Sequence, residues 1–279
     1  MTSYPVIVKA SGEREHFIPE RLNESMRRAG ATPYAADRIT DIVTRSVVPG
    51  ASSHEIYRKA FALLRKEARP IAARYAMRRA LLELGPTGHP FEDLVSHLFQ
   101  KEGWSVETRK IIKGKCVPHE VDFYAKRGEE FMAAELKYHN DPGYKSDLKT
   151  ALYVKSRFDD IFQCDPTVRS CPIDRGLLVT NTKFTSEAIA YATCAGVELL
   201  GWNYPETEGL FVRLTRAGVY PITALTTLSK SEKLLLIGRG IIAADQLRER
   251  RADLVALRFS AEQIGELFTE ADGLLAMPA

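Results

Sequence analysis

Apolar positions along the chain recur at strand spacing in some stretches and helical spacing in others, and the alternation marks out three segments. In the first, Val6-Ile7-Val8 reads as a short β run, Ser11-Gly12 as a turn, and Glu15-His16-Phe17 as the strand that pairs back. Helical spacing follows. Pro19 suits a first helical position, Leu22, Met26 and Ala29 share one face, and Gly30 stops the helix. A second helix is predicted over about 35–47, closed by Pro49-Gly50. Ser52 or Ser53 caps a third that carries Ile56, Ala60, Leu63 and Leu64, and a fourth spans about 68–84. Residues 1–85 thus read as a β-hairpin with a small helical bundle.

Residues 87–202 alternate helix and strand. Phe91, Leu94, Val95, Leu98 and Phe99 form one apolar face of a helix that stops at Gly103. Strand-like runs cover 104–112, 117–125 and 131–138, the last two joined by the polar turn Lys126-Arg127-Gly128-Glu129-Glu130. A long amphipathic helix is predicted over about 146–162, a buried strand over Arg175–Thr180, a helix over 184–195 capped by Thr185 or Ser186, and a last strand over 197–202. This order predicts one mixed sheet flanked by helices, an α/β (α+β) fold class. Residues 203–279 read as a small helical tail. Leu234–Ile237 ends at Gly238-Arg239-Gly240, Ile241 resumes, and 245–254 and 261–275 look helical, a pattern like a helix-hairpin-helix.

Composition narrows the class. At 279 residues, 45% hydrophobic and 27% charged, the chain suits two or three soluble domains. No uncharged apolar run nears the ~20 residues of a membrane helix, so no membrane partner is expected. The opening residues lack the apolar core of a signal peptide, and the cytoplasm is the expected compartment. Four cysteines, Cys116, Cys164, Cys171 and Cys194, form no CxxC pair and support neither a zinc ribbon nor a disulfide framework.

The net charge of +3 is unevenly placed. Residues 1–85 hold 15 Lys+Arg against 9 Asp+Glu, whereas 86–200 hold 15 against 17 and 201–279 hold 9 against 10. A basic N-terminal third suits an anionic partner such as nucleotide or nucleic acid, and equally a solvated arginine-rich surface.

The most informative chemistry is His119-Glu120-Val121-Asp122-Phe123 followed by Ala134-Glu135-Leu136-Lys137. Period-two alternation puts Glu135 and Lys137 on one strand face, and Glu120 and Asp122 on one face of the strand before it. As antiparallel neighbours, Asp122 and Glu135 converge where hard oxygen ligands suit Mg2+. A lysine beside them stabilises the charge of a pentacovalent phosphorus or orients the attacking water, which is the chemistry of metal-assisted phosphodiester hydrolysis. A surface strand with alternating charges is the plain alternative, but these acids sit in apolar runs where an unpartnered charge is costly. Lys145, Lys149, Lys155 and Arg157, with Tyr144 and Tyr153 between them, suit a DNA backbone, or else a solvated basic helix.

The stretch GHPFEDLVSHLFQKEGWSVETRKIIKGKCVPHEVDFYAKRGEEFMAAELKYH resembles the Mrr-like branch of the PD-(D/E)XK restriction-endonuclease superfamily, and FTSEAIAYATCAGVELLGW resembles its closing helix and strand. The resemblance implies an active site of Glu92, Asp122, Glu135 and Lys137, with Mg2+ or Mn2+ held by Asp122, Glu135 and the Leu136 carbonyl. Glu92 would reach the metal through water. Val121 stands where a proline is frequent in that superfamily.

VIVKASGEREHFIPERLNESMRRAG, SSHEIYRKAFALLRK and ARYAMRRALLELG in turn resemble an ATP-cone. That resemblance implies ATP or dATP as an allosteric effector, with Lys9 on phosphate, Glu15 and Arg21 at the nucleotide edge, Ser53 capping the third helix, and Arg78 adding charge. Ala10 follows Lys9 where the family often has a second basic residue, and Arg14 is the substitute on the same hairpin. The Gly turn of the tail suits a DNA phosphate, whereas a structural cap or dimerisation pair is the other reading, and a homodimer is compatible with it. These observations lead to a metal-dependent endodeoxyribonuclease regulated by nucleotide, with DNA as its partner. A nucleotide-sensing DNA-binding regulator whose nuclease fold does not cleave is the alternative, and a structural or oligomerisation protein the third.

Overall fold

Val6–Val8 (β1) and Arg14–His16 (β2) pair antiparallel, Val6 opposite His16. In the computed structural model, which describes residues 4–9, 12–162 and 173–277, the apolar side of this hairpin is carried by Ile7 and Phe17, both buried. Ala10 and Ser11 of the expected turn, and Cys164 and Cys171, lie outside the described residues. Helices α1 (Pro19–Arg28), α2 (Pro33–Thr44), α3 (Ser53–Glu67) and α4 (Arg69–Leu82) follow. Their apolar stripes meet in one core with Ile7 and Phe17, built from Leu22, Met26, Ile39, Val43, Ile56 and Leu64. Proline opens α1 and α2, and the Thr32 hydroxyl accepts from Ala35 N.

The expected Ser53 cap is corrected by one residue. Ser52 is the N-cap of α3: its hydroxyl accepts from Glu55 N at 3.1 Å, and Ser52 N donates to the Glu55 carboxylate at 2.8 Å. Ser52 rather than Ser53 has Glu three residues on, so only Ser52 closes this reciprocal box.

The next elements are α5 (His89–Lys101), β3 (Ser105–Lys113), β4 (Pro118–Arg127), β5 (Glu130–Lys137), β6 (Lys145–Ser146), α6 (Leu148–Phe162), β7 (Arg175–Thr180), β8 (Lys183–Phe184), α7 (Ser186–Ala195), β9 (Glu198–Leu200) and α8 (Leu210–Arg216). Strands β3-β4-β5-β7-β9 form one sheet, antiparallel through β5 and parallel beyond it. The predicted mixed sheet flanked by helices, and with it the α+β class, is what the chain adopts. The five-residue turn expected between β4 and β5 is only Gly128-Glu129, because Arg127 and Glu130 already pair, and Gly128 supplies the positive φ of +60°. Helix α6 starts two residues later than expected because Lys145-Ser146 is spent on a parallel pair with β8.

Alternating residues of β7 show how the sheet is covered. Leu178 joins α6 and α7 through Val154, Phe158, Ile161 and Ala188, whereas Leu177 lies beside Phe99. On that second side α5 packs on the sheet, with the Phe99 and Phe123 rings 4.9 Å apart. Gly176 is required here, since a Cβ at that position would fall inside the Phe158 ring. A cavity of about 520 Å3 opens toward the N-terminal ends of β5 and β7. Its guanidiniums are engaged by carboxylates: Arg127 by Glu130, Arg175 by Glu198, Arg213 by Glu102 and Arg216 by Glu208.

The last helices are α9 (Lys230–Gly238), α10 (Arg251–Ala256) and α11 (Ala261–Leu275). Of the two helices expected around the Gly238-Arg239-Gly240 turn, the first forms as α9 and the second does not follow the turn directly. Beyond Gly240 the chain extends: Ile222 N donates to the Ile242 carbonyl and Ala244 N to the Tyr220 carbonyl, with Ile241 and Ala243 fully buried. Burial of these apolar residues, with the Gln246 side-chain oxygen accepting from Ile242 N and Ala243 N, outcompetes a second helix at that point.

Contacts divide the chain into two compact units, residues 81–219 and residues 1–80 together with 220–278. The segment 220–277 therefore groups with the N-terminal helices, and 203–219 with the sheet. Within the helical unit, residues 1–80 with 220–278, Thr223 Oγ1 donates to the Ala80 carbonyl and Arg65 to the Thr226 carbonyl. The buried Glu270 carboxylate accepts from Thr226 N and Thr227 N. Such contacts, distant in sequence, are invisible to a reading of local periodicity.

Candidate active site

The site forms where the sheet's pairing breaks down. The β4–β5 ladder runs from Arg127/Glu130 to Phe123/Ala134 and stops there. On the other side of β4, pairing is continuous except between Thr108/Phe123 and Lys110/Val121, which leaves Arg109 facing Asp122. Arg109 has a φ of +51°, uncommon for a side chain with a Cβ. Val121 and Tyr124, three residues apart, pack into the same core, so strict alternation is broken across Asp122. Where the ladder is missing, the Asp122 carboxylate takes its place and accepts from Leu136 N at 2.5 Å.

Glu135 and Lys137 lie on the central strand β5, still paired to β7 as far as Lys137/Thr180. Lys137 Nζ donates to Glu135 Oε1 at 2.6 Å. The Glu135 side chain is only 7% exposed and that of Lys137 32%. The other Glu135 oxygen accepts from Arg157 of α6, whose second nitrogen donates to the Glu120 carbonyl. Asp122 and Glu135 are close enough to interact strongly. Burial first, then the Glu135 charge, pushes the Asp122 carboxyl up to about 6, against the pull of the Leu136 amide; Glu92 raises it further. Burial also raises Glu92, whose carboxylate accepts from Arg109 at 3.4 Å; Arg109 reaches Asp93 as well.

All four expected residues, Glu92, Asp122, Glu135 and Lys137, therefore lie in one electrostatic neighbourhood. The donor set is oxygen only: two carboxylates, with the backbone carbonyl of Leu136 next to Glu135 in sequence. Among the described residues no three Asp, Glu, His or Cys side chains make a ready-made cage. One or two carboxylates, completed by water and phosphate, is how Mg2+ is commonly held, so the residues fit that ion. The mutual repulsion that raises Asp122 is what a cation would relieve.

The end of β5 is fastened from β7. Thr180 Oγ1 donates to the Lys137 carbonyl, Asn181 Nδ2 donates to the His139 carbonyl, and His139 N donates to Asn181 Oδ1. At the far end of β4, His119 Nε2 lies 2.7 Å from Asp160, which also accepts from Cys116 N and Val117 N and is held far below the usual carboxylate range chiefly by that histidine. Arg109, Thr180 and Asn181 were missed as site residues, and Arg157, expected on a DNA-facing helix surface, meets Glu135 instead. The signal for Arg157 was its place beside the core positions Val154, Phe158 and Ile161, which turns it inward. The expected DNA-contacting lysines are spread out: Lys145 is exposed on β6, Lys149 is exposed in the first turn of α6, and Lys155 is ion-paired with Asp159 on its own helix.

In the helical unit, three of the residues expected around a nucleotide come together. Glu15 accepts from Lys9 at 2.8 Å and from Arg21 at 3.3 Å, and Lys9 also reaches Glu13. The hairpin lies beside the start of α3, because Val8 N donates to the Ala51 carbonyl. Arg78 stands half-buried on α4, where burial lowers its pKa.

Comparison with known proteins gives four likenesses. The AF1548-like family, in its C-terminal part, matches residues 220–275. An uncharacterized protein of Archaeoglobus fulgidus is 35% identical over 178 residues, 63% of this chain and 97% of that protein. The crystal structure of AF1548, a protein of unknown function, superposes with a TM-score of 0.55 at 32% identity, over 68% of this chain and 98% of that one. MspJI restriction endonuclease, solved in complex with a 27-mer oligonucleotide, gives a TM-score of 0.34 at 17% identity over 52% of this chain and 31% of that one, too slight a likeness to carry weight.

Proposed function

The chain belongs to the AF1548-like family, and we propose that it is a Mg2+- or Mn2+-dependent endodeoxyribonuclease whose helical unit binds ATP or dATP as a regulator. The observation that carries the reading is the convergence of Asp122, Glu135 and Lys137 where β4 leaves β5. A strand pair that separates at one carboxylate, with a lysine two residues beyond the other, gives a phosphodiester room to approach backbone that is no longer paired.

Asp122, Glu135 and the Leu136 carbonyl would hold the ion, which when bound polarises the phosphate and lowers the pKa of its water. Lys137, the most exposed member, faces the entering phosphate and stabilises charge on its oxygens. Glu135 holds the Lys137 ammonium at 2.6 Å and so fixes where that charge sits. Thr180 and Asn181 prevent the end of β5 from shifting, which keeps Lys137 aimed. Glu92, raised by burial, accepts protons more readily than an exposed carboxylate and suits an outer position bridged by water. DNA would run along the exposed Lys145, Lys149 and Tyr153.

The cluster of Lys9, Glu15 and Arg21 beside the start of α3 supports nucleotide binding. Freed from Glu13 and Glu15, Lys9 is the natural phosphate ligand.

Purified full-length protein mixed with plasmid, linear and branched DNA in Mg2+ or Mn2+ tests the assignment. Cleavage lost in Glu135→Ala and Lys137→Ala is expected, and cleavage surviving in both refutes it. The second reading, a DNA-binding regulator that does not cut, draws on the occupation of both Glu135 oxygens by Lys137 and Arg157. It predicts metal-independent DNA affinity without cleavage. Calorimetry with ATP and dATP tests the regulatory part, where no heat, or heat unaltered in Lys9→Ala, removes it.

A further inference from the structure

Arg157 belongs by sequence to a basic helix, yet its guanidinium is turned inward onto the strand carboxylate. We propose that Arg157 competes with the divalent cation for Glu135, occupying a ligand oxygen in the metal-free protein and being released toward the phosphodiester when metal binds. The inference rests on the metal-dependent reading above and adds a residue and a direction of effect to it.

The argument begins with burial. The Glu135 side chain is 7% exposed, and a lone carboxylate so placed is strongly disfavoured. Lys137 takes Oε1 and Arg157 takes Oε2, so both oxygens are engaged by cations. An arginine suits this post better than a lysine because its fork also reaches the Glu120 carbonyl, joining α6 to both strands of the site. A metal held between Asp122 and Glu135 brings two positive charges next to that guanidinium, in a place shielded from water where such repulsion is large. Ligation and the Arg157 ion pair are therefore alternatives.

The structure also provides a route out. Apart from Glu135, the guanidinium is anchored to one backbone carbonyl of an exposed residue. Its carbon already lies 5.7 Å from the Tyr153 ring centroid, one turn earlier on the same helix, and Tyr153 is 57% exposed. That ring offers a cation–π resting place nearer the surface, on the side where DNA is proposed to run.

The sign of one measurement separates this from a purely structural role. Mn2+ binding to the full chain near neutral pH, read from the electron paramagnetic resonance of free Mn2+, is compared in wild type, Asp122→Asn, Arg157→Gln and Arg157→Lys. Asp122→Asn is expected to lose binding. Arg157→Gln is expected to bind about tenfold tighter, equivalent to about 1.4 kcal/mol, with Arg157→Lys in between. An arginine that merely holds Glu135 in place predicts weaker binding in Arg157→Gln, and weaker or unchanged affinity overturns the proposal. Should Arg157→Gln not fold, wild type answers with Arg157→Lys as the reference. The protected guanidinium proton signal of 15N-arginine-labelled protein that is missing in Arg157→Lys must lose protection on saturation with Mg2+, and its persistence overturns the proposal. Absence of Mn2+ binding by wild type overturns the metal reading and this one together, whereas wild-type binding with unaltered affinity in Arg157→Gln overturns only the competition.

Discussion

Asp122→Asn should make the metal-free protein more stable and no longer able to bind metal, and the gain should depend on pH in a definite way. In the folded chain burial and the Glu135 charge push the Asp122 carboxyl up to about 6, against an ordinary value of 3.8. The folded state therefore keeps this proton over a range in which the unfolded chain has released it. Stability from the group is complete below about 3.8 and is lost as pH rises through about 6. At about 1.4 kcal/mol for each tenfold change in proton affinity, the ceiling on the penalty above pH 6 is about 3 kcal/mol. Asparagine removes the charge and keeps an oxygen to accept the Leu136 amide, so most of that penalty is relieved.

The measurement is convenient because both tryptophans, Trp104 and Trp202, are buried in the sheet unit, and their fluorescence follows that unit. At an m-value of about 2 kcal/mol/M, a gain of about 3 kcal/mol raises the urea midpoint near pH 8 by about 1.5 M. Near pH 4 the two proteins should unfold together. Equal midpoints at pH 8, or an equal gain at both pH values, would refute the claim that Asp122 is charged at a cost in the folded protein.

Three further substitutions test how the scaffold is held. Gly176→Ala drives a methyl into the Phe158 ring between β7 and α6 and should destabilise the sheet unit by about 1–3 kcal/mol, seen as a lower urea midpoint by tryptophan fluorescence; an unchanged midpoint contradicts the close approach. Ser52→Ala should cost about 1 kcal/mol and Ser53→Ala less than about 0.5 kcal/mol, followed by far-ultraviolet circular dichroism during thermal unfolding; the reverse order would restore Ser53 as the cap.

Much of the scaffold was legible without coordinates. Arg175–Thr180 is a strand over the residues its apolar run marks, and α5 presents Phe91, Leu94, Val95, Leu98 and Phe99 to the core as the periodicity requires. Local pattern suffices there because backbone geometry and burial of one face act over a few residues. Asp122, Glu135 and Lys137 were legible as candidates for a related reason. Charges inside short apolar strands are costly, and their presence asks for a partner.

Their partners were not legible. Arg157 is 22 residues beyond Glu135, and its place beside the core positions of α6 turns it inward without telling which carboxylate it meets. The left-handed Arg109 opposite Asp122, the end of the β4–β5 ladder at Phe123, and the clamp from Asn181 to His139 depend on where strands come to lie beside one another. The same holds for the tail, where Ile242 and Ala244, on either side of buried Ala243, pair with Ile222 and Tyr220 instead of continuing a helix. Sequence by itself determined which residues are candidates for the chemistry and which elements bear them, because both follow from side-chain identity and short-range geometry. Tertiary structure alone decided which cation holds which carboxylate and where the sheet opens, because those outcomes are set by pairing between segments far apart in the chain.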